Sequence, residues 1–149
     1  VSDPRCCLWL DPGGTTGFSM VSLTPSGYLF SASQVRGTEL AAEQVNAVLE
    51  SHDTGTVHVG WERYLVASGG GKAGDPVPAL EVIGAVKWLC HHYGAVVLPA
   101  VPASSRLVAS VPLLKELGWY TPGRMHANDA TRHLVAWLLR ERVTRKKRL

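Results

Sequence analysis

Two acids stand where a strand delivers its last side chain to a rim, and a third lies on the polar face of a helix. Asp11 closes the apolar run Cys6-Cys7-Leu8-Trp9-Leu10 and is followed by Pro12-Gly13-Gly14-Thr15-Thr16-Gly17, the pattern of a buried strand that ends and reverses. Glu62 closes a second alternating segment, Thr56 to Glu62, with Val57, Val59 and Trp61 on one face and His58, Gly60 and Glu62 on the other. Asp129 lies with His126 and His133 at the three- and four-residue spacing that puts side chains on one helical face. Carboxylates brought together suit hard divalent cations, which prefer oxygen ligands. Taken singly, each residue has a plainer explanation. Asp11 is a turn former bonding nearby backbone N–H groups, Asp129 a first-turn acid favouring the helix dipole, and His133 part of a solvent-facing polar stripe. Only convergence makes chemistry of them.

The elements that must position these residues follow from periodicity. Thr16 to Leu23 and Tyr28 to Val35 are β-rich segments separated by Thr24-Pro25-Ser26-Gly27, and with the first strand they make a three-stranded antiparallel meander. Thr38 is the expected N-cap of a helix whose stripe is Leu40, Ala41, Val45, Val48 and Leu49, ending at Ser51. A second helix is predicted from Ala79 to Tyr93, with Leu80, Ile83, Val86, Leu89 and Cys90 inward and Gly94 as its left-handed terminator, followed by a strand from Ala95 to Leu98. A crossover of this length implies parallel neighbours. The fold class is therefore α/β, a mixed sheet in which an antiparallel meander joins parallel strands. Short helices are predicted at Ser104 to Ala109 and Pro112 to Leu117, the latter stopped by Gly118. A final helix runs from His126 to Arg142 on an apolar stripe of Ala130, Leu134, Trp137 and Leu138.

At 149 residues the chain fits one domain, assigned to residues 1–144, with a basic tail at 145–149 expected to be flexible. The hydrophobic share of 46% suits a globular core, and no run is long or pure enough to span a bilayer or to act as a signal peptide, so a soluble, unexported protein with no membrane partner is expected. Three cysteines, two of them adjacent in one strand, do not make a disulfide framework, and Cys90-His91-His92 lacks the paired spacing of a zinc site. The net charge is +3, of which Arg145-Lys146-Lys147-Arg148 supplies +4, so the remainder carries −1. Arg63 to Pro78 contains Ser68-Gly69-Gly70-Gly71-Lys72-Ala73-Gly74 and reads as a mobile loop on the side where Glu62 emerges. A nucleotide P-loop is excluded there, because that motif needs Gly where Val66 stands and Ser or Thr where Ala73 stands. Trp9, Trp61, Trp88 and Trp137 fall in apolar patterns and are expected in the core, while Tyr64 and Trp119-Tyr120 are placed to stack on an exposed base.

Asp11-Pro12-Gly13, Gly17, Glu62 and His126-Ala127-Asn128-Asp129-Ala130, in that order, resemble the RNase H-like, or retroviral-integrase, nucleases, and most closely the RuvC-type Holliday junction resolvases. The likeness takes in Glu81 to Gly84 on the second helix and Pro99-Ala100-Val101-Pro102 after the fifth strand, so it covers nearly the whole chain, in a compact form that fits a phage-encoded member. The resemblance implies an RNase H-like mixed five-stranded sheet flanked by helices. It implies a metal site of Asp11, Glu62, His126 and Asp129 holding two divalent cations, Mg²⁺ or Mn²⁺. It also implies an endonuclease cutting Holliday or other branched DNA junctions as a homodimer, without a nucleotide cofactor, in the cytoplasm of a bacterial cell or phage-infected host.

The residue types suit that chemistry. Two cations about 3.5–4 Å apart can activate a water and stabilise the leaving oxygen of a phosphodiester. Asp11, Glu62 and Asp129 supply the hard oxygen ligands Mg²⁺ prefers, whereas His126 suits Mn²⁺ better and is either a ligand or the general base. Thr15 or Thr16 is a candidate phosphate donor beside a turn that Gly13 and Gly14 let come close, although hairpin geometry alone also explains those glycines. Lys72, Arg106, Lys115, Arg132, Arg145, Lys146, Lys147 and Arg148 are candidate backbone contacts. Three alternatives remain open: an RNase H-like nuclease acting on flaps, forks or RNA–DNA hybrids, an actin-like nucleotide-binding domain suggested by the same Gly-rich turn, and a junction-binding protein without turnover.

Overall fold

The strand that ends on Asp11 is the centre of the sheet. In the computed structural model, which describes residues 4–63 and 75–147, five strands lie in the order β3-β2-β1-β4-β5. They are β1 (Cys6–Asp11), β2 (Thr15–Thr24), β3 (Gly27–Arg36), β4 (Val57–Trp61) and β5 (Val96–Val97). β1 pairs antiparallel with β2 and parallel with β4; β2 with β3 is antiparallel and β4 with β5 parallel. This is the predicted mixed sheet. Among the described residues no helix is long and apolar enough to cross a membrane.

The period-two alternation of β1 sorts the two faces. Cys6, Leu8 and Leu10 pack with Val57, Val59 and Trp61 of β4 under α1 (Thr38–Ser51) and α2 (Val77–Tyr93). Cys7 and Trp9 face the other way, onto Leu134 of α4 (Met125–Lys147). Asp11 and Glu62 continue this second alternation, so both emerge on the α4 side. A short α3 (Val111–Leu117) and two 3₁₀ segments (Thr54–Thr56 and Ala103–Val108) complete the chain. Gly94 and Gly118 end α2 and α3 at φ 74° and 72°, the left-handed conformation expected of them.

Several boundaries move, each for a local reason. Thr38 is the first residue of α1 and not its cap; Gly37 holds the cap position at φ 95°, and Thr38 Oγ1 instead donates to Glu81 Oε2 of α2 at 3.1 Å. The inward stripe of α2 is Ala79, Val82, Val86, Leu89 and Cys90, which leaves Leu80 exposed; Leu40 of α1 is exposed as well. Trp88 is not core but 62% exposed, its ring stacked on His92. β5 is only two residues long, because Pro99 and Pro102 have no N–H to extend the ladder; Val101 nevertheless bridges Glu62, and Arg63 N–H donates to the Val101 carbonyl at 2.6 Å. α4 runs as far as Lys147, so the basic run begins on helical backbone. Cys6, Cys7 and Cys90 are buried free thiols, and burial pushes Cys7 up to about 12 and Cys90 to about 11.

Candidate active site

The N-terminal end of α4 is seated on the sheet through a missing side chain. Gly17 is the cross-strand partner of Asp11, and a Cβ on Gly17 would overlap the His126 carbonyl. Glycine here lets helix backbone lie directly on strand backbone. One turn further along, the hydroxyls of Thr131 and Ser19 are 3.0 Å apart in the buried interface. Asn128 holds the approach to the helix by accepting from Thr121 N–H at 2.9 Å and donating to the Thr121 carbonyl at 2.8 Å.

That seating puts His126 over Asp11. The imidazole Nδ1 lies 2.8 Å from Asp11 Oδ2, and because a carboxylate only accepts, Nδ1 carries a proton; in the neutral ring Nε2 then holds the lone pair. Burial raises the Asp11 carboxyl above its ordinary 3.8; the hydrogen bond from His126 opposes this, while the negative charges of Asp129 and Glu62 add to it. Asp11 therefore feels both other acids.

Glu62 is fixed through its backbone by the bridge to Val101, and its Oε2 accepts from His133 Nε2 at 2.9 Å. That hydrogen bond holds its carboxyl below the ordinary 4.5 against the opposing effect of burial, with the Arg106 charge assisting. His133 is not solvent-facing: it is 1% exposed, its Nδ1 lies 2.8 Å from Ser105 Oγ, and its ring stacks on Trp9. Asp129 takes two guanidinium groups, Arg106 Nη1 at 3.0 Å and Arg132 Nη1 at 3.6 Å, and Arg106 Nε stands 3.9 Å from Glu62 Oε2. The side chains of Asp11, Glu62 and Asp129 are each about one-fifth exposed. Arg106 and Arg132 are thus engaged with a carboxylate, and Arg132 Nε also donates to the Ala109 carbonyl at 2.7 Å. Among the described residues, no three His, Cys, Asp or Glu side chains surround a single point as metal ligands.

Beside Asp129 a cavity of about 770 Å³ opens between the Ala103–Val108 segment, α3 and the start of α4. Arg106, Arg124 and Arg132 line it together with Leu107, Tyr120 and Met125. The other sequence candidates are placed differently. Thr16 is buried and its hydroxyl donates to the Gly13 carbonyl at 3.2 Å, so it closes the turn and does not face a ligand. Thr15 is half-buried at the start of β2, opposite Arg36. Lys115 lies over the Tyr120 ring, 4.9 Å from its centroid, and one face of Trp119 is covered by Phe30. Tyr64 and Lys72, like the side chains of Arg145, Lys146, Lys147 and Arg148, lie outside the described residues.

His133, Ser105 and Arg124 are the residues sequence reasoning missed. The spacing already placed His133 on the face of His126 and Asp129, but the polarity of that face points to solvent until the acids of β1 and β4 are known to lie beneath it. Ser105 and Arg124 carry no sequence signal of their own.

No sequence profile of a protein family and no curated protein matches the chain. Solved structures do. The RuvC structure from Thermus thermophilus aligns at a TM-score of 0.65 with 17% identity, covering 93% of this chain and 96% of that one. RuvC of T. thermophilus in complex with a Holliday junction substrate aligns at 0.65 with 18% identity over the same shares. The yeast mitochondrial Holliday junction resolvase aligns at 0.57 with 13% identity, covering 92% of this chain and 79% of that one. Along nearly its whole length, the chain has the RNase H-like fold of the RuvC structures.

Proposed function

We propose that the chain is a metal-dependent endonuclease that cuts branched DNA, with Holliday junctions as its preferred substrate. The observation that carries this reading is the gathering of three carboxylates from separate elements at one end of the sheet: His126 at the start of α4 reaches Asp11 at 2.8 Å, and Arg106 stands 3.0 Å from Asp129 and 3.9 Å from Glu62. Partly buried like charges are costly to gather, and a bound cation offsets that cost. Likeness to a RuvC structure holding a Holliday junction supports the choice of substrate.

The donor types, though not gathered around one point in the metal-free arrangement, suit hard divalent cations: Asp11, Glu62 and Asp129 would supply oxygens and His126 a ring nitrogen, the mixture that suits Mg²⁺ or Mn²⁺. Two such ions, when bound, supply positive charge at the attacking water and at the leaving oxygen. The protein's own residues do the rest. Asp11 fixes the His126 tautomer, so His126 Nε2 has a lone pair with which to ligate an ion or take the proton of the attacking water. Arg106 pairs with Asp129 and stands near Glu62, and a cation held by those two acids would leave its guanidinium free for a phosphate. The arginine-lined cavity beside Asp129 is the path for the DNA backbone, with Leu107, Tyr120 and Met125 as an apolar floor. Symmetric cutting of a four-way junction requires two such sites, hence a homodimer.

Comparing cleavage of a four-way junction, a flap, a fork and an RNA–DNA hybrid at one salt concentration tests the substrate. Preference for the junction is expected; equal or better cleavage of the hybrid transfers the assignment to an RNase H-like activity, and binding without cutting under any divalent cation leaves only a junction-binding protein.

A further inference from the structure

Behind Glu62 runs a buried chain of hydrogen bonds that the proposed chemistry does not itself require. His133 Nε2 lies 2.9 Å from Glu62 Oε2 and His133 Nδ1 lies 2.8 Å from Ser105 Oγ. Ser105 is 3% exposed, and both partners of the imidazole come from different segments, one following β4 and one from the 3₁₀ segment at Ala103–Val108. Since the Glu62 carboxylate accepts, Nε2 carries a proton; in the neutral ring Nδ1 is then the acceptor for the Ser105 hydroxyl. Each bond dictates the direction of the other.

The plane of the ring is set separately. Gly60 is the parallel partner of Trp9, and a Cβ there would come within 2.7 Å of the indole, so glycine makes room for Trp9 over β4. The indole in turn stacks on His133, with centroids 6.1 Å apart and planes inclined by 19°. Gly60 and Glu62 share the α4-facing side of β4. One residue admits the aromatic wall and, two positions on, the other accepts the hydrogen bond that this wall orients.

We infer that Ser105 and His133 form a positioning relay for the candidate metal site, engaging Oε2 of Glu62 so that Oε1 is the oxygen presented to a cation. This rests on the endonuclease reading above and deepens it. Neither residue touches the substrate; both act through Glu62. Partners of this kind behind a metal ligand change affinity or activity by about 10–100-fold when removed.

The test uses the full-length protein with His133→Leu, His133→Gln, Ser105→Ala and Ser105→Thr. Leucine fills the same buried space without a donor, whereas the glutamine amide places an N–H near the position of Nε2. Three measurements are made: Mn²⁺ binding by calorimetry without DNA, kcat and KM on a four-way junction, and imidazole ¹⁵N shifts reporting the tautomer of His133. Expected are a wild-type Nε2–H tautomer, Mn²⁺ binding weakened about 10–100-fold in His133→Leu, and a fall in kcat at unchanged junction KM. His133→Gln and Ser105→Thr are expected to recover most of this, and Ser105→Ala to lie between. A wild-type protein that cuts junctions while His133→Leu matches it in Mn²⁺ affinity and kcat overturns the relay alone. Loss in His133→Leu with no recovery in His133→Gln, both folded as judged by thermal unfolding, also overturns it. A wild-type protein that neither binds Mn²⁺ nor cuts overturns instead the function on which the relay rests.

Discussion

The guanidinium of Arg106 stands where Asp129 needs a positive charge, with Nη1 3.0 Å from Oδ2, and its Nε reaches to 3.9 Å from Glu62. All three groups are partly solvated, so the pairing is worth little to the fold, about 0–1 kcal/mol after screening. Its weight is local. Arg106→Gln is expected to lower the unfolding free energy by less than about 1 kcal/mol, to tighten Mn²⁺ binding in the DNA-free protein and to weaken junction binding. Calorimetry and a filter-binding titration on the same preparation check the opposed signs.

Gly17 is the hinge of the site's geometry, since any side chain there meets the His126 carbonyl. Gly17→Ala is expected to lift the start of α4 from β2, costing about 1–3 kcal/mol of stability as overpacking does and breaking the 2.8 Å contact between His126 and Asp11. Gly14→Ala is the control, because a Cβ there meets nothing within 4 Å. Denaturant melts and junction cleavage of the two variants should diverge.

The two acids predict opposite pH behaviour in the metal-free protein. Glu62 has a lowered carboxyl pKa, so its contribution to stability is fully present above its ordinary 4.5 and is lost as the pH falls through the lower folded value. Asp11 has a raised one, so above that raised value its ionised form costs stability, and the cost disappears as the pH falls through it. At pH 7 without metal, Asp11→Asn is expected to melt higher than wild type, since it removes the buried charge and Asn keeps an acceptor for His126. Glu62→Gln is expected to melt lower at pH 7 and to converge with wild type in acid. Melting curves from pH 2 to 8 decide both signs.

Arg124 lines the cavity beside Asp129 with Arg106 and Arg132, and those two are already paired with that acid. Arg124→Ala is expected to weaken junction binding without regard to sequence and to reduce the salt dependence by about one counterion. Binding measured across a salt series gives the slope.

Much of this architecture is legible in the sequence because alternation and turn chemistry act locally. Cys6 to Leu10 and Val57 to Trp61 sort their faces by period two, and Gly94 and Gly118 terminate helices as glycines do. Legibility fails where a tertiary partner decides. His133 has the spacing of a polar surface stripe, and only the strand beneath it, ending in Glu62, makes that face an interior one. Thr16 carries a hydroxyl beside the candidate site, yet the turn carbonyl of Gly13 claims it. Trp88 falls in an apolar helical pattern, but the sheet-facing positions of α2 are filled by smaller residues, leaving the indole outside.

Cleavage of a synthetic four-way junction by wild type and Asp11→Asn, each with Mg²⁺, with Mn²⁺ and with chelator, tests the central claim most directly. Cutting by wild type that needs a divalent cation, and a loss of at least about 1,000-fold in Asp11→Asn, is the predicted result. Undiminished cutting by Asp11→Asn, or cutting by wild type in chelator, would contradict it.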